Sequence, residues 1–487
     1  MPAPSKKRSD SPTDGDASVM RVDDVSELPE QVAADDGDEE GGETADGERP
    51  RYVKKAPALP GMADHPEAAD LGELARMPIP ELVETLHRYG VEAHAGTDRS
   101  RLLLSLMRAS DKLNLRLVGE GQIELMPDGF GFLRSARNTF LPAPDDLYVS
   151  PALVSEFKLH AGMSIKGKVK RGRRKDKYFA IETITEINGK DPEHAKEITP
   201  FEDLTPVFPD KRILLETDDA RDFSARIVDL MAPIGFGQRG LIVSPPRSGK
   251  TMLLKALARA ITKNYPETKL LVFLVDERPE EVTDMMRSVE GEVIASTFDE
   301  PPQRHVAVAD RVDERARSLV ESGYDVVLLI DSITRLGRAF NAAARSSGRI
   351  LSGGIESKAL QKPKRLFGAA RNLEGPGSLT ILATALIETN SRMDEVIFEE
   401  FKGTGNMEIV LSRAVSEQRI YPAIDIHRSG TRMENLLFDP QEAEFVELLR
   451  KALAGLTPID AIDTLLTKLE KTNTNVEFLL SLKTAQF

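Results

Sequence analysis

The stretch "SPPRSGKT" occupies residues 244–251. It departs from the phosphate-loop pattern G-x-x-x-x-G-K-[ST] in having serine at the first glycine. Its flanks decide its reading. "RGLIV" (239–243) is a short apolar run of strand character, and "TMLLKALARAITKN" (251–264) carries apolar residues at helical spacing. Strand, loop and helix in that order put helix N-terminal amides where an anion can sit. Gly249 lets the backbone approach phosphate. Lys250 can reach the β- and γ-phosphates, and the Thr251 hydroxyl can ligate Mg²⁺. Ser244 is small, so the missing glycine need not block the loop. Without those flanks, Gly-Lys-Thr reads equally well as a chance triplet.

Two further strands add chemistry. "DVVLLIDS" (325–332) runs through five apolar residues, Val326 to Ile330, and ends in Asp331. A carboxylate at the C-terminal tip of a buried strand is well placed to hold a Mg²⁺ shell. "LLVFLVDERPEEV" (270–282) ends its apolar run at Asp276 and Glu277, and Glu277 can orient and deprotonate a water. Each acid alone reads as a cap for the next helix. Three strand-end features on one sheet argue for a site. With "SLTILATAL" (378–386), these strands alternate with helices, so residues 221–487 are expected to be an α/β domain with a mainly parallel sheet.

The rest of the chain divides by composition. The formal net charge is −14, but residues 1–50 hold 15 acidic and 5 basic residues, leaving only −4 for the other 437. Residues 1–65 are expected to be a disordered acidic tail, because they lack the apolar content to offset ordering entropy. Residues 66–117 carry helical periodicity, punctuated by Ile79-Pro80 and Gly90. In 118–190 the period shifts to two, with five short candidate strands that suggest a small barrel. The polar, proline-containing 191–220 reads as a linker. The chain has no cysteine, and its 7 histidines show no ligand spacing, so disulfides and a zinc site are not expected. No apolar run approaches a membrane span, and the N-terminus lacks the stretch of a secretory signal. A cytoplasmic protein with no membrane partner is expected.

Within the barrel, "DGFGFLRS" puts Phe130 and Phe132 on one face of a strand, where bases can stack. Tyr148 and Tyr178 are further stacking candidates, and Arg134 and Asp146 can contact backbone or base edges. "KGKVKRGRRKDKY" (166–178) has eight basic residues in thirteen, suiting a phosphate-tracking groove. Barrel-core aromatics and a solvated basic hairpin are the plainer alternatives.

"LVDERPEEVTDM", "ASTFDEPPQRH", "DSITRLGRAFN", "PKRLFGAARN" and "FEEFKGTGNMEIVLSR" together resemble the bacterial Rho family of transcription termination factors over roughly residues 70–487. The resemblance implies an OB/cold-shock-like RNA-binding barrel and a RecA-like core. It also implies a homohexameric, ATP-driven and Mg²⁺-dependent ring that translocates on single-stranded RNA and releases it from RNA polymerase, with elongation factors as partners. It assigns ATP binding to Gly235, Phe236, Gly237, Gln238, Arg239 and Gly240, and to Arg247, Ser248, Gly249, Lys250, Thr251 and Met252. Glu277 matches the catalytic glutamate, Arg278 a phosphate sensor and Asp331 the Mg²⁺-associated aspartate. Tyr421 stands where the family stacks an aromatic on adenine, and Arg432 matches an arginine finger from the neighbouring subunit. Lys250 joins Glu277 and Arg432 as the catalytic set. RNA contacts are implied at Gly129, Phe130, Gly131, Phe132, Leu133 and Arg134, at Asp146, Leu147 and Tyr148, and at Asp176, Lys177 and Tyr178. Two central-channel loops are implied at Ile350, Leu351, Ser352, Gly353 and Gly354, and at Arg392. By composition alone both are ordinary flexible loops. The family usually has alanine at the position of Ser244. A rotary ATP synthase subunit would share the phosphate loop but has no need of stacking aromatics beside a basic hairpin. A passive RNA-binding protein with a merely structural nucleotide would not need Glu277 and Arg432.

Overall fold

The computed structural model describes residues 68–170, 178–344 and 350–482. The acidic tail expected over 1–65 and the greater part of the basic run, 171–177, lie outside the described residues. The chain begins with β1 (Ala68–Asp70), α1 (Leu71–Arg76), α2 (Ile79–Arg88) and α3 (Arg99–Ala109). Asp70 caps α1 by accepting from the Gly72 amide at 2.8 Å, and Asp98 caps α3 through Ser100 N at 3.1 Å. The expected barrel follows as β2 (Arg116–Leu125), β3 (Gly131–Arg134), β4 (Leu147–Val149), α4 (Pro151–Glu156), β5 (Ser164–Lys170) and β6 (Ala180–Ile187). The sheet order is β1-β2-β3-β4-β6-β5, and pairing of β2 with β5 closes it. Helices and barrel share one core, in which Leu82, Leu86 and Leu106 pack with Ile123, Leu133 and Ile165.

The stretch expected as a linker runs along the second domain instead of hanging free. Its β7 (Pro206–Val207) and β8 (Arg212–Ile213) pair with strands of the core, and Phe201, Ile213 and Leu215 are buried. Buried apolar side chains and short strand pairings hold it down, and the Leu215 and Glu216 amides add bonds to the Asp229 carboxylate. Then come α5 (Phe223–Met231), β9 (Ile234–Gly235), β10 (Arg239–Ser244), α6 (Lys250–Asn264), β11 (Lys269–Glu277), α7 (Pro279–Ser288), β12 (Glu292–Thr297), α8 (Pro302–Glu321), β13 (Asp325–Asp331) and α9 (Ile333–Ala343). The chain continues with β14 (Ile350–Leu351), β15 (Ile355–Glu356), α10 (Gln361–Gly368), β16 (Arg371–Leu373), β17 (Ser378–Leu386), α11 (Arg392–Lys402), β18 (Met407–Val410), α12 (Arg413–Glu417) and β19 (Gly430–Thr431). Helices α13 (Pro440–Leu453), α14 (Pro458–Leu469) and α15 (Asn475–Ser481) complete it.

The main sheet has the order β12-β11-β13-β17-β10-β18-β19, parallel throughout from β12 to β18. Both faces are covered, so its strands read as continuous apolar runs. Alternation still sorts them. Val272 and Leu274 of β11 join the core with α6 and α13, while Leu271 and Phe273 join the core with α8 and α9.

The barrel docks on α8 through polar contacts. Asn188 Nδ2 donates to Ser318 Oγ and Ser322 Oγ, each at 2.9 Å, while its Oδ1 accepts from Ser164 N at 2.8 Å and Arg315 Nη1 at 3.0 Å. Gly162 has φ +91, and a Cβ there would lie 2.0 Å from Glu314 O, so the loop meets the helix backbone with no room for a side chain. Asn188→Ala strands these buried partners. It is expected to destabilise the protein by about 1–3 kcal/mol, read as a lowered denaturation midpoint, and an unchanged midpoint would show that the dock contributes nothing.

Candidate nucleotide and RNA sites

The parallel sheet delivers β10, β11 and β13 to one edge with their carboxyl ends together. The phosphate loop leaves β10 there and enters α6 at Gly249, whose φ is +90. A Cβ on Gly249 would also come within 3.3 Å of the Tyr421 ring, so a side chain there would have to push the ring aside as well as adopt a strained φ. Ser244 is used inside the loop: its Oγ lies 2.8 Å from Ser248 Oγ, and Ser248 Oγ donates to Pro245 O at 2.8 Å.

Lys250 Nζ lies between the two strand-end acids, ion-paired with Asp331 and 3.3 Å from Glu277 Oε1. Both acids are almost fully buried, Glu277 at 3 % exposure and Asp331 at 2 %. Burial alone would lower the Lys250 pKa, but the charges of Asp331 and Glu277 outweigh it and the net shift is upward. Burial pushes the Glu277 carboxyl up, opposed by Lys250 and Arg335 and reinforced by Asp331. Two participants escaped sequence reading. Thr384 Oγ1 donates to Asp331 Oδ1 at 2.7 Å, and Arg335 Nη1 lies 3.5 Å from Glu277 Oε2. Their signals were slight: a threonine inside the apolar "SLTILATAL", and an arginine one helical turn beyond Asp331. Thr251 is half-buried on the first turn of α6, while Arg247 and Arg278 are exposed. Beside the loop, Phe223, Met252, Leu253, Tyr421 and Pro422 line a cavity of about 150 Å³, a slot suited to a flat base.

The other expected nucleotide residues lie elsewhere. Gly235 to Gly240 sit at the amino end of β10, whereas the phosphate loop is at its carboxyl end. Arg432 is at that amino end too: β19 pairs Thr431 with Met407, and Arg432 N donates to Asn406 O at 2.8 Å. Gly237, Arg239, Arg371 and Arg432 line one cavity there. At about 3.3 Å per residue, β10 separates the two ends by roughly 15–20 Å. Within one chain, neither Arg432 nor Gly235–Gly240 belongs to the phosphate cradle.

On the barrel, four aromatics meet outside the core. The Phe130 and Phe132 centroids are 5.7 Å apart, Phe130 and Tyr148 5.5 Å, and Phe132 and Tyr178 5.0 Å. They are half-buried or exposed, unlike Leu133 and Leu147, which point into the core. Gly129 and Gly131 flank the first ring, and Gly129 makes the turn with φ +83. Arg134 and Asp146 are buried beneath this face and paired with each other, and the Arg134 guanidinium lies 4.9 Å from the Phe132 ring centroid. They support the platform instead of standing on it. Asp176 and Lys177 are outside the described residues. The two candidate channel loops come together. A Cβ on Gly353 would lie 2.9 Å from Arg392 O, and Ile350 and Leu351 pair with Glu356 and Ile355 in a hairpin around Ser352–Gly354.

Two family models match the chain. Residues 119–193 match the Rho termination factor RNA-binding domain, and residues 224–431 match the nucleotide-binding domain of the ATP synthase alpha/beta family. The chain is 51 % identical over 420 residues to a transcription termination factor Rho of Cereibacter sphaeroides, covering 86 % of this chain and 100 % of that one. It is 51 % identical to that of Pseudomonas aeruginosa, over 85 % of this chain and 99 % of the relative. The chain belongs to the Rho family of transcription termination factors. As a Rho-family protein it is an RNA-binding, ATP-hydrolysing enzyme of transcription termination. An RNA-binding domain joined to the ATPase domain separates it from a rotary ATP synthase subunit. Among the described residues no helix is long and apolar enough to cross a membrane.

Burial pushes the Asp146 pKa up to about 6, despite a hydrogen bond from Ala143 N and the Arg134 charge. The ionised form holds Arg134 under Phe132, and lowering pH through that value neutralises it. Affinity for a short single-stranded pyrimidine RNA is therefore expected to fall as pH drops below about 6. The fall should be absent in Asp146→Asn, and an identical pH profile in that variant would sink the assignment.

Proposed function

We propose that six copies of this chain form a cytoplasmic ring that pulls single-stranded RNA through its centre and strips it from RNA polymerase, with elongation factors as partners. The observation that carries this reading is the placement of Arg432 one strand-length from its own phosphate loop. Arginine fingers act at the γ-phosphate and are worth roughly 10³–10⁵ in rate. A finger that cannot reach its own cradle has to serve a neighbour's, and Gly235–Gly240, on the same edge, would serve that neighbour's nucleotide too.

ATP would lie across the amides of Arg247 to Met252, its base between Tyr421 and Met252. Lys250 would turn from the two acids to the phosphates, with Arg278 beside them. The oxygen donors present, the Asp331 carboxylate and Thr251 hydroxyl, suit Mg²⁺. Among the described residues no group of three or more acidic, His or Cys side chains could hold a metal, so phosphate and water oxygens would complete its shell. The ion would neutralise phosphate charge. Glu277 orients the attacking water and takes its proton, and Arg335 steadies Glu277. The neighbour's Arg432 meets the charge that builds on the γ-phosphate.

Helix α9 supports the link from chemistry to movement. It starts beside Asp331 and reaches both channel loops. Arg338 pairs with Asp394 through two bonds of 2.7 and 2.6 Å, two residues from Arg392, and Asn341 Nδ2 donates to Gly354 O at 3.2 Å. A shift at the strand ends would tilt α9 and move both loops along RNA. Phe130, Phe132, Tyr148 and Tyr178 hold the incoming strand by stacking, each base worth about 1–3 kcal/mol.

The test mixes two inactive variants. Arg432→Ala and Lys250→Ala should each hydrolyse almost no ATP. Mixed rings contain interfaces with an intact Lys250 cradle facing an intact Arg432, and single-turnover hydrolysis should reappear there. No recovery, with subunit exchange verified, would place Arg432 outside the neighbour's site.

A further inference from the structure

One carboxylate joins the RNA face to the ATPase core. Glu124 Oε2 accepts from Arg134 Nε at 2.6 Å, beneath Phe132, and Glu124 Oε1 accepts from Arg311 Nη2 at 2.6 Å. Arg311 belongs to α8, and its Nη1 is braced by Glu314 Oε2 at 2.7 Å. Asp146, Arg134, Glu124, Arg311 and Glu314 thus form an unbroken alternation of charge from the aromatic platform into the core. Each carboxylate or guanidinium in the middle has two partners, so displacing one member moves the next.

The turn that leads into α8 touches the strand end that carries Glu277. Phe298 N, in the turn before α8, donates to Glu277 O at 3.1 Å. One helical turn into α8, His305 Nδ1 lies 2.6 Å from Ser296 Oγ, which donates to Glu300 Oε2 at 2.6 Å. That cluster pins the start of α8 to β12, the direct neighbour of β11 and Glu277. The helix is therefore held at one end by the nucleotide site and along its flank by the barrel.

We infer that Arg311 and Glu124 are positioning residues that couple base stacking on the barrel to nucleotide occupancy of the core. A base pressing on Phe132 loads Arg134, which shares Glu124 with Arg311, and Arg311 moves with α8. The tie is separable from the dock, because Gln122 Nε2 to Arg311 O at 3.0 Å and the Asn188 contacts do not use the Arg311 side chain's charge. Coupling between two ligands is reciprocal: whatever factor nucleotide applies to RNA affinity, RNA applies to nucleotide affinity. The inference rests on the reading of the barrel as the RNA platform.

The experiment titrates a fluorescent short oligocytidylate into the full-length protein, with and without Mg²⁺ and the non-hydrolysable analogue AMP-PNP. Wild type should show an affinity change of roughly fivefold or more on adding nucleotide. Arg311→Met and Glu124→Gln should each remove that change while still binding the oligonucleotide, and Arg311→Lys, which keeps the charge facing Glu124, should retain it. Loss of the tie in both independent variants separates coupling from misfolding of one of them. The same nucleotide effect persisting in Arg311→Met and Glu124→Gln, or no effect in wild type, overturns the inference. If Phe132→Ala binds the oligonucleotide as well as wild type does, the platform reading itself falls, and the coupling with it.

Discussion

The ammonium of Lys250, lodged between the buried carboxylates of Asp331 and Glu277, is the contact around which the nucleotide site is arranged. Without that cation the buried acids would keep only the Thr384 hydroxyl and the Arg335 guanidinium beside them, and removing one partner of a buried ion pair is strongly destabilising. The lysine can sit there only because three parallel strands end at one edge and α6 starts directly from the loop. The same contact makes the site responsive. In the proposed mechanism a triphosphate would draw Lys250 toward its oxygens and free the two acids, Asp331 for a cation and Glu277 for water.

A second constraint fixes what that work can move. The barrel meets the core along α8 through buried hydrogen bonds and ion pairs. Such an interface is directional and intolerant of sliding, since each displaced donor is left unsatisfied. Helix α9 carries the opposite commission, running from Asp331 to the loops around Gly353 and Arg392. The sheet edge therefore has two levers attached to it. One helix faces the aromatic platform proposed to stack bases, and the other faces the loops proposed to line the channel.

Much of this was legible in sequence because it is local. The phosphate loop, the acids at the ends of apolar runs, and Phe130 and Phe132 at a spacing of two are all properties of short stretches. The RecA-like core and the barrel likewise followed from periodicity and from long family motifs. What stayed hidden is set by contacts far apart in the chain. Arg335 and Thr384 join the acids only through the strand order. Glu124 and Arg311 are separated by most of two domains. The strapping of 191–220 rests on a few buried apolar residues that composition averages away and on pairings with distant strands. The separation of Gly235–Gly240 from the phosphate loop also needed the sheet, because a strand between two motifs sends them to opposite edges.

The central claim is that barrel and core are one machine, in which RNA on the first governs chemistry in the second. Steady-state ATP hydrolysis by the full-length protein, measured with and without single-stranded pyrimidine-rich RNA, tests it most directly. RNA is expected to raise the hydrolysis rate strongly, and Phe132→Ala to require more RNA for the same effect. An ATPase rate that is the same with and without RNA would contradict it.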